Sequence, residues 1–450
     1  MRTQTLRATS ASTDGDVQVS GTVLALVIIA LLATAIILIA VNSSLYGDGA
    51  YYLLAAIKSG RPFNVSGREL IDAVRQTPLL IGISIGIDNT RFLTVLQGIG
   101  FILFPALIWA LALQQCCISR IRFTLVAIAC GICFGSMIFY SVSELTLALP
   151  LVVLISCLLA KETEYSIVQS LTMVIAAIIL VFSYEAIALC SVVLVVHAVV
   201  RAKAGLASLD IFVSWMVAVL SVAAIGVSLW TLEFRPNSNS GDFLNSIEEL
   251  RPKSMVALIF AGVCLATWIL VQALAPHLRW ITVPVFGVIA FSTLAGVALA
   301  IQDGPITSIL SRGYCVILIA VLEVALLIDW IRKRRPGGGY NFVKVTTMNV
   351  TVAVTFLLSM LAIPITFAIP WSGFLGEFRS TINSNVGVMP SSDVHSSNAD
   401  KYLVGWTNPS MSVILRASAN SAVVASPDSS FEPFTPIEAS RQIPRRYGWR

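Results

Sequence analysis

The chain has 450 residues, of which 57% are hydrophobic and only 12% charged, against about 25% charged in a soluble domain. With a mean hydropathy of +0.86, that ratio excludes a water-soluble globular protein, because so few polar residues could not cover so large an apolar interior. The net charge of +5 is small and spread along the chain, which argues for no nucleic-acid partner.

The eight cysteines all fall in or at the ends of apolar blocks, and the polar tail has none, so no disulfide framework holds it. Cys130 and Cys133 have CxxC spacing, but their flanks are membrane-like and no partner His or second CxxC follows. They are read as packing residues. His197, His277 and His395 are scattered and make no metal site.

In chain order, residues 1–20 form a polar N-terminus with Arg2 and Arg7. Residues 21–42 are almost wholly apolar, long enough to cross about 30 Å of hydrocarbon and longer than a secretory signal core, which predicts an uncleaved anchor. Further spans are predicted near 93–115, 123–140, 145–160, 167–182, 186–200, 209–231, 254–274, 281–301, 314–330 and 347–369. Arg120, Arg122, Lys161, Arg201, Lys203, Arg279 and the run Arg332 to Arg335 fall in connections on one side, the cytoplasmic side by the positive-inside rule. The first outer loop runs against that trend with Lys58, Arg61, Arg68, Arg75 and Arg91. The expected architecture is an all-α, multi-pass protein of the cell (inner) membrane with about eleven transmembrane helices. Its N-terminus is inside and its C-terminus outside. It divides into a cytoplasmic N-terminus (1–20), a membrane domain (21–371) and an extracytoplasmic tail (372–450).

Two features depart from a plain bundle. The spans 123–140 with 145–160, and 167–182 with 186–200, make two hairpins of short helices. Each turns at the outer side on a glutamate, Glu144 in Ser-Val-Ser-Glu and Glu185 in Ser-Tyr-Glu. A carboxylate there is costly unless it faces protein, water or a ligand. The outer loop 43–92 is too long for a connector; it has amphipathic, helix-like stretches near 49–58 and 68–75. Pro78 to Ile87 is apolar but too short to span, and is read as a dipping or interfacial segment. In the tail, Tyr402 to Trp406, Ser412 to Ala417 and Ala422 to Ala425 have strand-like content, which predicts a small β-rich cap on the outer face.

This topology collects acidic groups on the outer face: Asp48, Asp72, Asp88, Glu144, Glu185 and Asp303. Asp48 lies between Gly47 and Gly49, glycines that allow a sharp turn and close approach to a ligand; as an alternative it caps a helix beginning at 49. Tyr51 and Tyr52 offer flat amphipathic surfaces, as does Tyr184 beside Glu185. Arg312, Arg61 and Arg91 lie on the same face, where an arginine fork suits a phosphate or snorkels to lipid headgroups. Glu323, within the span 314–330, has no place in this outer-face group.

The stretch Gly47-Asp-Gly-Ala-Tyr-Tyr-Leu-Leu with Arg68 and Gln76-Thr-Pro78, together with the two hairpins tipped by Glu144 and Glu185, resembles the start of bacterial GT-C type glycosyltransferases. The resemblance covers roughly residues 20–200. It implies transfer of a sugar from a polyprenyl-phosphate donor to a glycan or lipid acceptor on the outer face. It implies Asp48 as catalytic base. The candidates that accompany it are Glu185 and Glu144 as further catalytic carboxylates, Arg312, Arg61 and Arg91 for the donor phosphate, and Tyr51, Tyr52, Tyr184 and Asp303 against substrate. The first loop has no Asp-x-Asp pair; a divalent metal is compatible with the site but not required by the sequence, and no cofactor is assigned.

The physical demands of that reaction agree. The donor needs an apolar groove, a cation for its phosphate and a carboxylate facing the sugar, and a placed general base is worth about 10²–10⁴ in rate. The competing expectations are a secondary transporter using Glu144, Glu185 and Glu323, which predicts a midplane site, and a non-catalytic envelope scaffold.

Overall fold

A computed structural model describes residues 18–63, 67–205, 207–234, 288, 292–293, 295–300, 302, 304–305, 311–334, 347–404, 407–418, 420–425 and 447–449. The described chain is almost entirely helical. Ser20 caps α1 (Gly21–Ala40) by accepting from the Val23 amide. The first loop folds into α2 (Gly49–Ser59) and α3 (Glu69–Ser84). Next come α4 (Thr90–Gly98), a π-helical turn at Ile99–Leu103 and α5 (Phe104–Cys116). The two hairpins are α6 (Arg120–Met137) with α7 (Leu145–Leu159), and α8 (Ile167–Val181) with α9 (Ile187–Lys203). Ser166 and Gln169 form a reciprocal capping box at the start of α8. The bundle continues with α10 (Ser208–Phe234), α11 (Arg312–Arg334) and α12 (Thr347–Ser384).

Among the described residues six helices are long and apolar enough to cross a membrane: Gly21–Ala40, Thr90–Cys116, Arg120–Met137, Ser208–Glu233, Arg312–Ile331 and Asn349–Ser384. Helices α7 and α8 are apolar but shorter, as the hairpin reading expects. The predicted span 254–274 and most of 281–301 lie outside the described residues. Large apolar side chains project outward along α1, α8 and α10, with Ile29 65%, Ile167 72% and Val219 61% exposed. Such a surface is stable against lipid and not against water. Every residue of α7 is buried, so the first hairpin is the centre about which the other helices are arranged.

Helices α6 and α12 cross with their backbones in close approach. A Cβ on Gly135 would stand 2.5 Å from the Met360 carbonyl oxygen, and one on Gly131 3.1 Å from the Leu357 Cα. Small residues at a crossing let two backbones meet where no hydrophobic effect draws helices together. Helix α12 runs unbroken through Pro364 and Pro370 to Ser384, so the expected boundary at 371/372 falls inside a helix. It continues because Trp371, Phe374 and Phe378 are buried there and stack in an aromatic cluster with Tyr402, Phe139 and Tyr46.

The loop and tail differ in part from expectation. Helices form at 49–59 and from 69, but Pro78 begins no separate dipping segment: α3 runs through it to Ser84. The tail is not β-rich among the described residues. Its sheet is one parallel pair, β1 (Val388–Pro390) with β2 (Val423–Ala425); the strand expected at 422–425 is there. Between them lie α13 (Ala399–Tyr402) and α14 (Asn408–Leu415). The expected strand at 412–417 is therefore mostly helix. Pro409 presets a first helical turn, and complete burial of α14 outweighs the β-propensity of Val413 and Ile414. The tail is not a separate body: Gly448 bonds across to Asp88 and Thr90, and the Thr90 hydroxyl donates to the Ile414 carbonyl.

Candidate functional site

Buried charge is sorted to the two ends of the bundle. At one end Arg122, at the start of α6, donates to Asp329 at 2.7 Å and Glu162 at 3.2 Å, and Arg201 donates to Asp210 at 3.3 Å. At the other end lie Asp48, Arg68, Glu144 and Glu185. The length of α7 separates the two layers by about 22 Å at 1.5 Å per residue.

The second layer is built from the turns that close the hairpins. Arg68, just before α3, places its fork between them. Its Nη1 donates to Glu144 Oε2 at 3.1 Å, its Nη2 to Glu185 Oε2 at 2.9 Å and its Nε to Glu185 Oε1 at 3.4 Å. The guanidinium stands 4.2 Å above the Tyr184 ring, a cation–π contact. Arg68 and Glu144 are buried, while Glu185 is partly open. Burial pushes the Glu144 carboxyl up, but the guanidiniums of Arg68 and Arg75 outweigh it and hold the group below its ordinary range. The Arg68 cation is held correspondingly firmly, the two carboxylates outweighing its desolvation.

Arg75 fixes the turn that precedes Glu144. It donates to the carbonyls of Val142, at 2.9 Å, and Ser141, and approaches Asp72 at 3.9 Å. Tyr52, from α2, donates to Glu144 Oε1 at 3.4 Å. Gln76 clamps the loop by bonding both backbone groups of Phe63. Two separate pieces of the first loop are thus drawn onto one glutamate.

Asp48 occupies the N-cap position of α2, yet its side chain makes no cap bond. Its Oδ2 instead accepts from Tyr140 at 2.6 Å. The flanking glycines are required by protein contacts. A Cβ on Gly47, whose φ is +60°, would lie 2.2 Å from the Tyr140 ring, and one on Gly49 would lie 1.7 Å from the Ser44 carbonyl oxygen. Arg312, at the start of α11, stands 5.7 Å from the Tyr140 ring centroid. Tyr140 and Glu144 sit in one turn, so Asp48, Arg312, Glu144, Arg68 and Glu185 form a continuous polar group at this end.

The structure therefore brings together Asp48, Glu144, Glu185, Tyr52, Tyr184 and Arg312. Tyr51 lies in the first turn of α2, where burial and, after it, the nearby Asp48 carboxylate push its hydroxyl up. Arg61 and Arg91 are exposed and make no contact with this group among the described residues, so they are not brought to it. Asp303 lies outside the described residues. Sequence reasoning gave no role to Tyr140 or Arg68, the two residues that join the pieces; Arg68 stood in the quoted motif, but nothing local marked Tyr140. Among the described residues no three His, Cys, Asp or Glu side chains gather as a metal site. Beside the tail a cleft of about 600 Å³ opens, lined by Glu377, Ser392, His395, Ser396, Asp400 and Leu403 among others.

No protein-family model, curated protein or solved structure matches the chain. The class supported by the fold is a polytopic helical membrane protein whose short hairpins carry a buried charged cluster at one end.

Proposed function

We propose that the protein is a membrane glycosyltransferase of the GT-C type that moves a sugar from a polyprenyl-phosphate donor to a glycan or lipid acceptor. In this reading the Glu144 end of the bundle is the outer face, the Arg122 end is cytoplasmic, and about eleven spans give an inside N-terminus and an outside C-terminus. The observation that carries the reading is the convergence of Asp48, from the first loop, with both hairpin tips and Arg312 at one end of an apolar bundle.

Asp48 takes the proton of the acceptor hydroxyl as its oxygen attacks the anomeric carbon. The bond from that carbon to the donor phosphate oxygen breaks, and its electron pair leaves with the phosphate. Arg312 stabilises the charge developing there, since a fixed cation at the leaving group acts most strongly where water is scarce. Arg68 is a positioning residue that holds Glu144 and Glu185 in place. No metal enters this scheme.

The test is sugar transfer by purified protein from a synthetic polyprenyl-phosphate sugar, with Asp48→Asn compared alongside. Asn keeps the shape and accepts from Tyr140 but cannot take a proton, so transfer should fall about 10²-fold or more while thermal stability changes little. Near-normal transfer in a folded Asp48→Asn protein would falsify the assignment. Secondary transport is the second reading, and one observation favours it: the carboxyl of Glu323 is buried midway along α11.

A further inference from the structure

A carboxyl group, Glu323, lies between the two charge layers. Glu323 is the middle residue of α11 and is fully buried. Helix α11 packs on α6, α7 and α9, and the groups these present to the carboxyl are neutral. From α7, Ser156 Oγ donates to Glu323 Oε1 at 3.0 Å. From α9, the Cys190 thiol interacts with the same carboxyl. From α6, Ser136 and Cys133 face Cys315, two turns away on α11. Among the described residues Glu323 makes no ion pair, and its Oε2 has no hydrogen-bond partner of good geometry. An ionised carboxylate in such a place would cost many kcal/mol, far more than one hydroxyl donor returns. A carboxylic acid needs only an acceptor for one O–H.

The seam between α9 and α11 continues toward the Arg122 end. Cys190 faces Glu323, and seven residues further along each helix the His197 ring lies 6.2 Å from that of Trp330, so the two helices run parallel with a constant offset. His197 is fully buried, and among the described residues neither ring nitrogen has a partner. Arg122 and Arg201 act on it from the end layer. In the opposite direction the seam is closed by Ile187, Val316 and Ile319, all buried. A buried imidazole with both nitrogens unsatisfied can accept a proton on one and release it from the other. It lies about 10 Å from Glu323 along the axis, seven residues at 1.5 Å each.

We propose that Glu323 is a proton-binding site in the middle of the bundle, occupied at neutral pH, which exchanges its proton with the Arg122 end by way of His197. The ligand is a proton, and the site is separate from the Asp48 cluster and independent of its chemistry.

The proposal is tested by infrared spectroscopy of the purified full-length protein at neutral pH. A carbonyl band of a protonated carboxyl should be present in the wild type and lost in Glu323→Gln. In deuterated buffer that band should shift, and His197→Phe should slow the shift severalfold. A second measurement needs no variant: an apolar carbodiimide, which reacts with protonated carboxyls inside membranes, should label the peptide that contains Glu323, as read by mass spectrometry. Absence of both the band and the label overturns the proton site. A band whose exchange is unchanged in His197→Phe overturns the route.

Discussion

Tyr140 donates its hydroxyl to Asp48 Oδ2 at 2.6 Å, and the same ring fills the space left by Gly47. One aromatic side chain thus sets both the direction of the carboxylate and the backbone turn that carries it. Tyr140→Phe removes the bond and keeps the ring. It should lower stability by about 1 kcal/mol and reduce sugar transfer less than Asp48→Asn does. Thermal melts and transfer rates measured on one preparation separate the two effects.

Arg68 bonds both Glu144 and Glu185. Removing it leaves the buried Glu144 without its bonded cation, with Arg75 and Arg312 acting only from a distance, so Arg68→Met should destabilise by about 3–5 kcal/mol. Adding Glu144→Gln to that variant should recover part of the loss. Strict additivity in denaturation of the single and double variants would show that the pair is not coupled.

The acid side of stability follows from the depressed Glu144 carboxyl. Its folded pKa lies below the unfolded value, so its contribution is complete above the unfolded value of about 4.3 and lost as pH falls through the folded one. The stability gap between wild type and Glu144→Gln should therefore be widest near neutral pH and should close only under strongly acidic conditions. Melting temperatures of both proteins across pH reveal it; a gap that widens with acid contradicts the sign.

Arg312 is expected to hold the donor phosphate. Arg312→Ala should weaken binding of a polyprenyl-phosphate sugar, and Arg312→Lys should restore part of it, since an ammonium supplies the charge without the fork. Unchanged donor affinity in both variants would leave Arg312 as a headgroup contact.

Topology has its own check. With the Arg122 end in the cytoplasm, alkaline phosphatase fused after Arg450 should be active and a cytoplasmic reporter silent. The reverse pattern would invert the bundle and remove the outer-face site with it.

Hydropathy, a property of consecutive residues, was enough to establish from sequence that this is a helical membrane protein. It was also enough to show short hairpins turning at Glu144 and Glu185, and helices near 49–58 and after Arg68. It could not show what those residues touch. Asp48 and Tyr140 are 92 positions apart, and Arg68 and Glu185 are 117 apart, so their meeting depends on how α2, α3 and the hairpins pack. The glycines around Asp48 read as room for a ligand; packing gave that room to Tyr140 and Ser44. Ser412 to Leu415 read as strand from its β-branched residues, and burial of the whole turn against the bundle made it helix. Chain-local chemistry fixed the helices and their polar tips, whereas the pairing of carboxylates with guanidiniums was decided by tertiary packing, because an ion pair depends on distance in space and not on separation along the chain.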